Sequence, residues 1–310
     1  MRRVALIGEC MVELATRPDG ALVQGFGGDT LNTALYLARL GVPVDYVTAL
    51  GEDPFSDEML AAWAAEGIGT GLVLRVPDRL PGLYLIRTDA QGERRFYYWR
   101  DRAPVRELFH LPGIDGIEAA LAAAGLVYLS GITLSLFAPP DRERLLAVLA
   151  RARAAGARIA FDTNFRPRGW PDRAAALAAY EQALRVSDCV LASVEDHGLL
   201  RGAAPPEAVW AWLDAAGVRE AVVKLDRPAV RVWWPEGEAL IEAEPVAEVV
   251  DTTAAGDSFA AGYLAARRAG RDPAAAAALG HRLAGAVVRH RGAIIPRAAM
   301  PALELAATAG

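Results

Sequence analysis

Lysine is almost missing from this chain. Lys224 is the only one, so the cations that balance its acids are nearly all arginines. The formal net charge of −5 supplies no basic field for nucleic acid or an anionic membrane, and any anionic ligand must be held by local cations. Cysteine is scarce too. Cys10 and Cys189 cannot build a disulfide framework, and neither has neighbours at metal-ligand spacing, which predicts two buried small hydrophobes. No apolar run approaches the ~20 residues of a membrane span, and the stretch behind Arg2 and Arg3 is too short for a signal peptide. There is no internal repeat, low-complexity linker or charge run. These absences predict a cytoplasmic globular protein with neither a nucleic-acid nor a membrane partner.

What is present is apolar mass. With 310 residues and 53% hydrophobic content, the chain can bury one large α/β domain plus an appendage, or two modest domains. Val4 to Ile7 and Val44 to Ala49 predict buried strands, and Phe55 to Glu66 a helix ended by Gly67. The shorter, more polar segment from Met11 to Val23 carries a turn at Arg17-Pro18-Asp19-Gly20. Leu83 to Thr88 and Arg95 to Arg100, joined at Ala90-Gln91-Gly92, predict a hairpin. These two regions could form a small separate sheet over one end of the main one. A lid is its natural role; its aromatics fit packing or a subunit interface, packing being the better reading for Phe96, Tyr97 and Trp99, while an apolar, aromatic lid also suggests a homo-oligomer.

From Val127 onward strands and helices alternate. Strands are predicted at Val127 to Gly131, Arg158 to Asp162, Val190 to Ser193, Ala221 to Leu225 and Val246 to Val250. Helices at 142–155, 173–185 and 207–216 separate the first four, and an antiparallel excursion through Arg231 to Ile241 precedes the last. Further helices are expected at 257–269 and onward through Val288. The pattern predicts a mostly parallel sheet with helices on both faces, whose ligand lies beyond the carboxyl ends of the strands. Those ends carry Ser130 and Gly131, then Asp162, Asn164 and Arg166, then Ser193, Lys224 and Asp226, and finally Asp251 to Asp257.

The run Asp251-Thr252-Thr253-Ala254-Ala255-Gly256-Asp257 reads as an anion site at the start of a helix. Small residues let the backbone turn so that several N–H groups converge where the helix dipole favours negative charge. Asp257 could be a base beside an attacking hydroxyl, as phosphoryl transfer requires, or simply a helix cap. The run Gly25-Phe26-Gly27-Gly28-Asp29-Thr30-Leu31-Asn32-Thr33 offers bare backbone with the donors and acceptors of a polyol site; Asp29 or Thr30 could equally cap a helix ended by Gly41.

With these runs placed, the chain resembles the ribokinase-like, phosphofructokinase-B type carbohydrate kinases, and among them the members that act on 2-keto-3-deoxygluconate. Supporting segments are Gly8-Glu9-Cys10-Met11-Val12-Glu13-Leu14, Leu80-Pro81-Gly82-Leu83-Tyr84, Phe96-Tyr97-Tyr98-Trp99-Arg100, Leu129-Ser130-Gly131-Ile132 and Arg291-Gly292-Ala293-Ile294-Ile295-Pro296. The resemblance implies a single carbohydrate-kinase domain over 1–310, a ribokinase-like α/β fold, and a lid formed by about 11–26 and 81–101. It implies ATP and Mg²⁺, with transfer of the γ-phosphoryl group to the 6-hydroxyl of the sugar acid. Asp257 would be the base, and Ala254, Ala255 and Gly256 the anion hole. Gly28, Asp29, Asn32, Tyr84, Tyr98 and Ile132 would contact the sugar, with Arg100 and Arg166 near its carboxylate, whose geometry suits a guanidinium fork. Asn164, Ser193, Lys224, Asp226 and His281, with Ala254 and Gly256, would line the nucleotide side.

Three departures stand out. Alanine at 254 replaces the commoner glycine and is accommodated if its φ stays negative. The acidic motif that organises Mg²⁺ in many relatives is reduced to Ser193-Val194-Glu195-Asp196, so Mg²⁺ is expected to be held largely through waters and the ATP phosphates, and no residue is assigned as its ligand. Lys224-Leu225-Asp226-Arg227-Pro228 stands where relatives have a glycine-containing loop. The alternatives are a kinase of another sugar such as fructose, or a sugar sensor without catalysis. A dinucleotide-binding dehydrogenase is excluded, because Gly8-Glu9-Cys10-Met11 lacks the glycine fingerprint.

Overall fold

Two sheets organise the computed structural model, which describes residues 2–17, 19–88 and 94–305. In chain order the elements begin with β1 (Val4–Ile7), β2 (Met11–Thr16), β3 (Leu22–Gly27), α1 (Asp29–Arg39), β4 (Val44–Gly51), α2 (Pro54–Ala65), β5 (Val73–Val76), β6 (Leu83–Thr88) and β7 (Arg94–Trp99). They continue with α3 (Ile114–Ala123), β8 (Leu126–Ser130), α4 (Gly131–Leu136), α5 (Pro139–Ala154), β9 (Arg158–Asp162), α6 (Arg173–Val186), β10 (Cys189–Ser193) and α7 (Val194–Arg201). The last are α8 (Pro206–Ala215), β11 (Glu220–Lys224), β12 (Ala229–Trp234), β13 (Gly237–Glu242), α9 (Ala255–Arg268) and α10 (Pro273–Val287).

The larger sheet has nine strands in the order β13-β12-β11-β10-β9-β8-β1-β4-β5. All its pairings are parallel except β11 with β12 and β12 with β13. Strands with apolar residues on both faces must be covered on both. Ile7, Leu129, Phe161 and Val223 face one buried cluster with Leu145, Leu149 and Leu213 from α5 and α8. Leu6, Tyr128, Leu191 and Val222 face the other, with Leu35, Phe259 and Leu283 from α1, α9 and α10. Helix starts follow from capping chemistry. Asp53 accepts from the N–H groups of Phe55 and Ser56 ahead of Pro54, and Asp272 accepts from Ala275 ahead of Pro273.

The smaller sheet, β3-β2-β6-β7, is built from the two regions that sequence had grouped together. Its register puts Glu13, Tyr84 and Tyr98 in one cross-strand row, with Val12, Leu83 and Trp99 in the adjacent row on the opposite face. The turn expected at 90–92 lies outside the described residues, as does Pro18.

Several expectations need correction. Val246 to Val250 forms no strand; it is an irregular segment with Val249 56% and Val250 41% exposed, and β12 and β13 already close that edge of the sheet. Neither Asp29 nor Thr30 caps α1, because Gly28 is its N-cap and no side chain makes the capping bond. Asp29 is instead the first helical residue, which frees its carboxylate for longer-range contacts. The sequence did not reveal α3, α4 or α7.

Candidate active site

At the carboxyl ends of the parallel strands, the chain reverses direction about β1: β4 and β5 extend the sheet to one side and β8 to β13 to the other. Such a switch point opens a crevice. α1 and α9 pack across it and bring together residues more than two hundred positions apart. Asn32 of α1 donates through Nδ2 to Asp257 Oδ2 of α9 at 2.8 Å, and Thr33 Oγ1 donates to the Asp257 carbonyl at 3.3 Å. Asn164 Nδ2 donates to Asp29 Oδ2 at 2.7 Å. Lys224, the last residue of β11, reaches Asp162, the last of β9, at 3.4 Å.

Electrostatics distinguish these carboxyls. Burial and then the nearby Asp29 push the Asp257 carboxyl up to about 8, only partly offset by the Asn32 amide. Burial likewise raises Asp162 above the usual carboxylate range despite Lys224. Burial works to discharge Lys224, but Asp162, Asp196 and Asp257 outweigh it and hold the ammonium above its ordinary value.

The loop before α9 is anchored by the first residue of the expected anion run. Asp251 is buried, accepting from the N–H and hydroxyl of Thr253 at 2.9 and 2.7 Å and from the Gly292 N–H at 2.8 Å. Ala254 then turns the chain into the helix with φ 60° and ψ 16°. This overturns the expectation of negative φ: the alanine occupies the left-handed region that glycine adopts freely, because Asp251 fixes the loop before it and Ser258 bonds its carbonyl at 2.8 Å after it. As the N-cap is Ala254, Asp257 is the third residue of α9 and no cap. The first turn of α9 sets Gly256 beside Lys224, where a Cβ would lie 3.5 Å from Nζ, whereas the Ala255 N–H is spent on the Thr252 carbonyl at 3.1 Å.

A second built turn carries Asn164. Asp196, the buried third residue of α7, accepts from Thr163 Oγ1 at 2.7 Å and the Phe165 N–H at 3.1 Å, while Tyr180 donates to the Thr163 carbonyl at 2.5 Å. Asn164 sits between them with φ 26°. Ser193, expected on the nucleotide side, spends its hydroxyl as the N-cap of α7 by accepting from the Asp196 N–H at 2.9 Å.

The remaining predicted residues divide. Gly28 lies so close to the Glu9 carbonyl that a Cβ would meet it at 2.1 Å, a close approach that requires glycine. Tyr84 is buried and donates its hydroxyl to Glu13, and its ring lies 6.0 Å from that of Tyr98, which is largely exposed. Arg100 pairs with buried Glu9 at the end of β1 and stands 6.0 Å from the Tyr98 ring centre. Burial raises Glu9, against the pull of Arg100 and Arg106. Ile132 lies in the first turn of α4. Arg166 is not drawn into the cluster: its side chain is 61% exposed, bonded to the Phe165 carbonyl at 2.9 Å and 3.8 Å from Asp196. Asp226 is exposed in the turn between β11 and β12, and His281 bonds the Ile241 carbonyl through Nε2 at 3.2 Å. Both cysteines are buried.

Glu9, Arg106 and Glu13 carry much of the architecture, and sequence reasoning assigned them no part in the site; Asp251 and Asp196 stood in its anion-site run and its acidic motif, but without the anchoring roles they have here. For Glu9 the signal was legible: a carboxylate directly after a fully apolar strand needs a partner. Among the described residues no group of three or more His, Cys, Asp or Glu side chains is placed to cage a metal ion.

This crevice, floored by an open helix start and faced by a buried acid, is that of a sugar kinase, and the chain belongs to the pfkB family of carbohydrate kinases, whose profile matches residues 1–300. Its fold is ribokinase-like. The chain is 47% identical, over 97% of its length and 99% of the relative's, to the 2-dehydro-3-deoxygluconokinase of Dickeya dadantii. It is 46% identical, over the same shares, to the protein of that name from Escherichia coli K12. Among solved structures, a fructokinase with bound ATP from Xylella fastidiosa superposes with a TM-score of 0.80 at 27% identity, covering 97% of this chain and 96% of that one.

Proposed function

We propose that this kinase transfers the γ-phosphoryl group of ATP to the 6-hydroxyl of 2-keto-3-deoxygluconate, the compound also called 2-dehydro-3-deoxygluconate. The observation that carries the mechanism is the position of Asp257: a buried carboxyl of raised basicity, at the mouth of an open helix start and held by Asn32. Its role is general base for the attacking hydroxyl. A pKa near the working pH suits that role, because the group is then a strong base without being fully protonated.

The helix start at Ala254, Ala255 and Gly256, with the Gly256 N–H as its donor and Lys224 alongside, stabilises charge on the transferred group. Mg²⁺ bound to the phosphates would neutralise charge there. Gly28, Asp29 and Asn32 hold the sugar hydroxyls, and Ile132 and Tyr98 flank the chain of carbons. Asn164, bonded to Asp29, serves the sugar in this reading, whereas Asp226, Ser193 and His281 remain the nucleotide side. Arg100, with Arg106 behind it, meets the sugar carboxylate, and Arg166 would swing in from its exposed position. The small sheet closes over the crevice as a lid to exclude water. Its exposed Tyr97 and Trp99 suit a contact with a second copy of the chain.

A neutral sugar such as fructose is the competing substrate. The specific point in its favour is that Arg100 already has a carboxylate partner in Glu9. An ADP-release assay with Mg-ATP comparing 2-keto-3-deoxygluconate, fructose, ribose and gluconate separates the two. A kcat/KM at least ~100-fold higher for the keto-deoxy acid, roughly 2.7 kcal/mol of discrimination, is expected. Preference for fructose would keep Asp257 as base and remove the arginine roles; no turnover on any of the four would leave a substrate outside this set or a sensor.

A further inference from the structure

A second basic concavity lies at the other end of the sheet. It is a basin of about 390 Å³, within the ~300–1,000 Å³ span of small-molecule sites. Its floor is made by the first residues of four adjacent strands: Leu126 of β8, Arg158 of β9, Cys189 of β10 and Glu220 of β11. Arg267 and Arg268, the last residues of α9, form one wall, and Arg2 another.

Charge in the basin does not balance. Glu220 is buried and fully engaged, accepting from Arg267 at 2.6 and 3.0 Å, Arg158 at 3.1 Å and the Tyr263 hydroxyl at 2.7 Å. Arg2 and Arg268 have no carboxylate partner among the described residues. Arg2 donates to the carbonyls of Ala123 and Ala155 at 3.1 and 3.4 Å, and Arg268 to the carbonyl of Arg2 at 2.7 Å. Cys189 is buried and its thiol is held neutral by that burial, so it contributes no compensating charge. Four guanidinium groups therefore share one saturated carboxylate around a cavity open to solvent. The carboxy-terminal end of α9 favours a cation, but its dipole is equivalent to only about half a charge.

We propose that this basin binds a small phosphate-bearing anion, held by the guanidinium forks of Arg2 and Arg268 and by the outer N–H groups of Arg158 and Arg267. Phosphate is the matching chemistry because it accepts several planar, bidentate contacts at once. The site is separate from the catalytic crevice: β9, β11 and α9 each contribute one end to the basin and the opposite end, Asp162, Lys224 and Asp257, to the crevice.

Calorimetric titration of the whole protein with pyrophosphate at constant ionic strength tests the proposal. Arg2→Gln/Arg268→Gln leaves the Glu220 network intact, and a melting curve confirms that it folds. Loss of a charge-assisted contact should weaken binding at least ~10-fold in this double variant, while Arg2→Lys/Arg268→Lys should retain it within about threefold. If the wild type also binds pyrophosphate in the crevice, a two-site isotherm should reduce to one site in the glutamine variant. Equal binding by the wild type and the glutamine variant, or no binding by the wild type, overturns the proposal. Glucose 6-phosphate and AMP, titrated in the same way, distinguish a sugar-phosphate from a nucleotide source; the affinity that the glutamine variant loses identifies the carrier. If neither loses affinity in that variant, a phosphate ester as occupant is refuted.

Discussion

At the scale of single residues, Asp257 and Ala254 do different work within one helical turn. Replacing Asp257 by Asn keeps the shape and the Asn32 contact but removes the base, so kcat should fall by ~10²–10⁴ while nucleotide binding survives. Retention of near-normal kcat would take the base role away. The same residue makes a pH prediction. Asp29 contributes to the raised value of about 8, so kcat/KM in the wild type should climb as pH rises towards 8, and in Asp29→Asn that limb should move to lower pH as the repulsion is removed. For stability the sign is opposite. A carboxyl raised by folding favours the protonated native state, and that contribution fades as pH rises from the ordinary carboxylate range through about 8. Asp257→Asn should therefore melt at a higher temperature than the wild type at pH 9, with a smaller gain at pH 6. An unchanged difference between the two pH values would contradict it. Ala254 stores conformational strain at φ 60°. Ala254→Gly should stabilise the protein by ~0.5–1 kcal/mol, the left-handed penalty less the added freedom of the unfolded chain, read as a higher urea midpoint at unchanged slope.

At the scale of elements, the turn between β9 and α6 depends on α7. Asp196→Ala removes the acceptor for the Thr163 hydroxyl and leaves the buried Phe165 N–H unpaired, at a cost of ~2 kcal/mol. It should also loosen Asn164 and through it Asp29, raising KM for the sugar substrate more than KM for ATP. A rise confined to ATP would return Asn164 to the nucleotide side, where the sequence had placed it. This element also shows what sequence could and could not convey. β1, β4, β9 and β11 were legible because β-branched runs bounded by turn residues admit little else. The Val246 to Val250 run has the same composition but no vacant sheet edge to join, which is a fact of tertiary assembly rather than pattern. Ala254 was misjudged for a related reason. Backbone strain is imposed from both sides by Asp251 and Ser258, and nothing local to an alanine announces it. Asp257, Asn32 and Asp29 were legible as chemistry, whereas their pairing across 225 and Asn164's across 135 positions was not.

At the scale of the whole molecule, the nine-stranded sheet fixes the crevice and the four-stranded sheet is joined to it through the links after β1, β3 and β7 and before β6. That arrangement lets the smaller sheet move as a unit about Gly28 and Gly82, both packed tightly on Glu9. Hydrogen exchange at Leu22–Gly27 and Arg94–Trp99 should slow when the sugar acid and a non-hydrolysable ATP analogue are added together, and the exchange of β9 and β10 should stay as it was. Equal slowing throughout would indicate general tightening instead of closure.

The solitary lysine has a further consequence. An acylating or reductively alkylating reagent has a single side-chain amine to find here, and that amine stands beside Gly256 at the rim of the crevice. Apart from the α-amino group, the stoichiometry of labelling thus counts open catalytic crevices one by one, turning an ordinary bulk amine reagent into a site-selective reporter of occupancy.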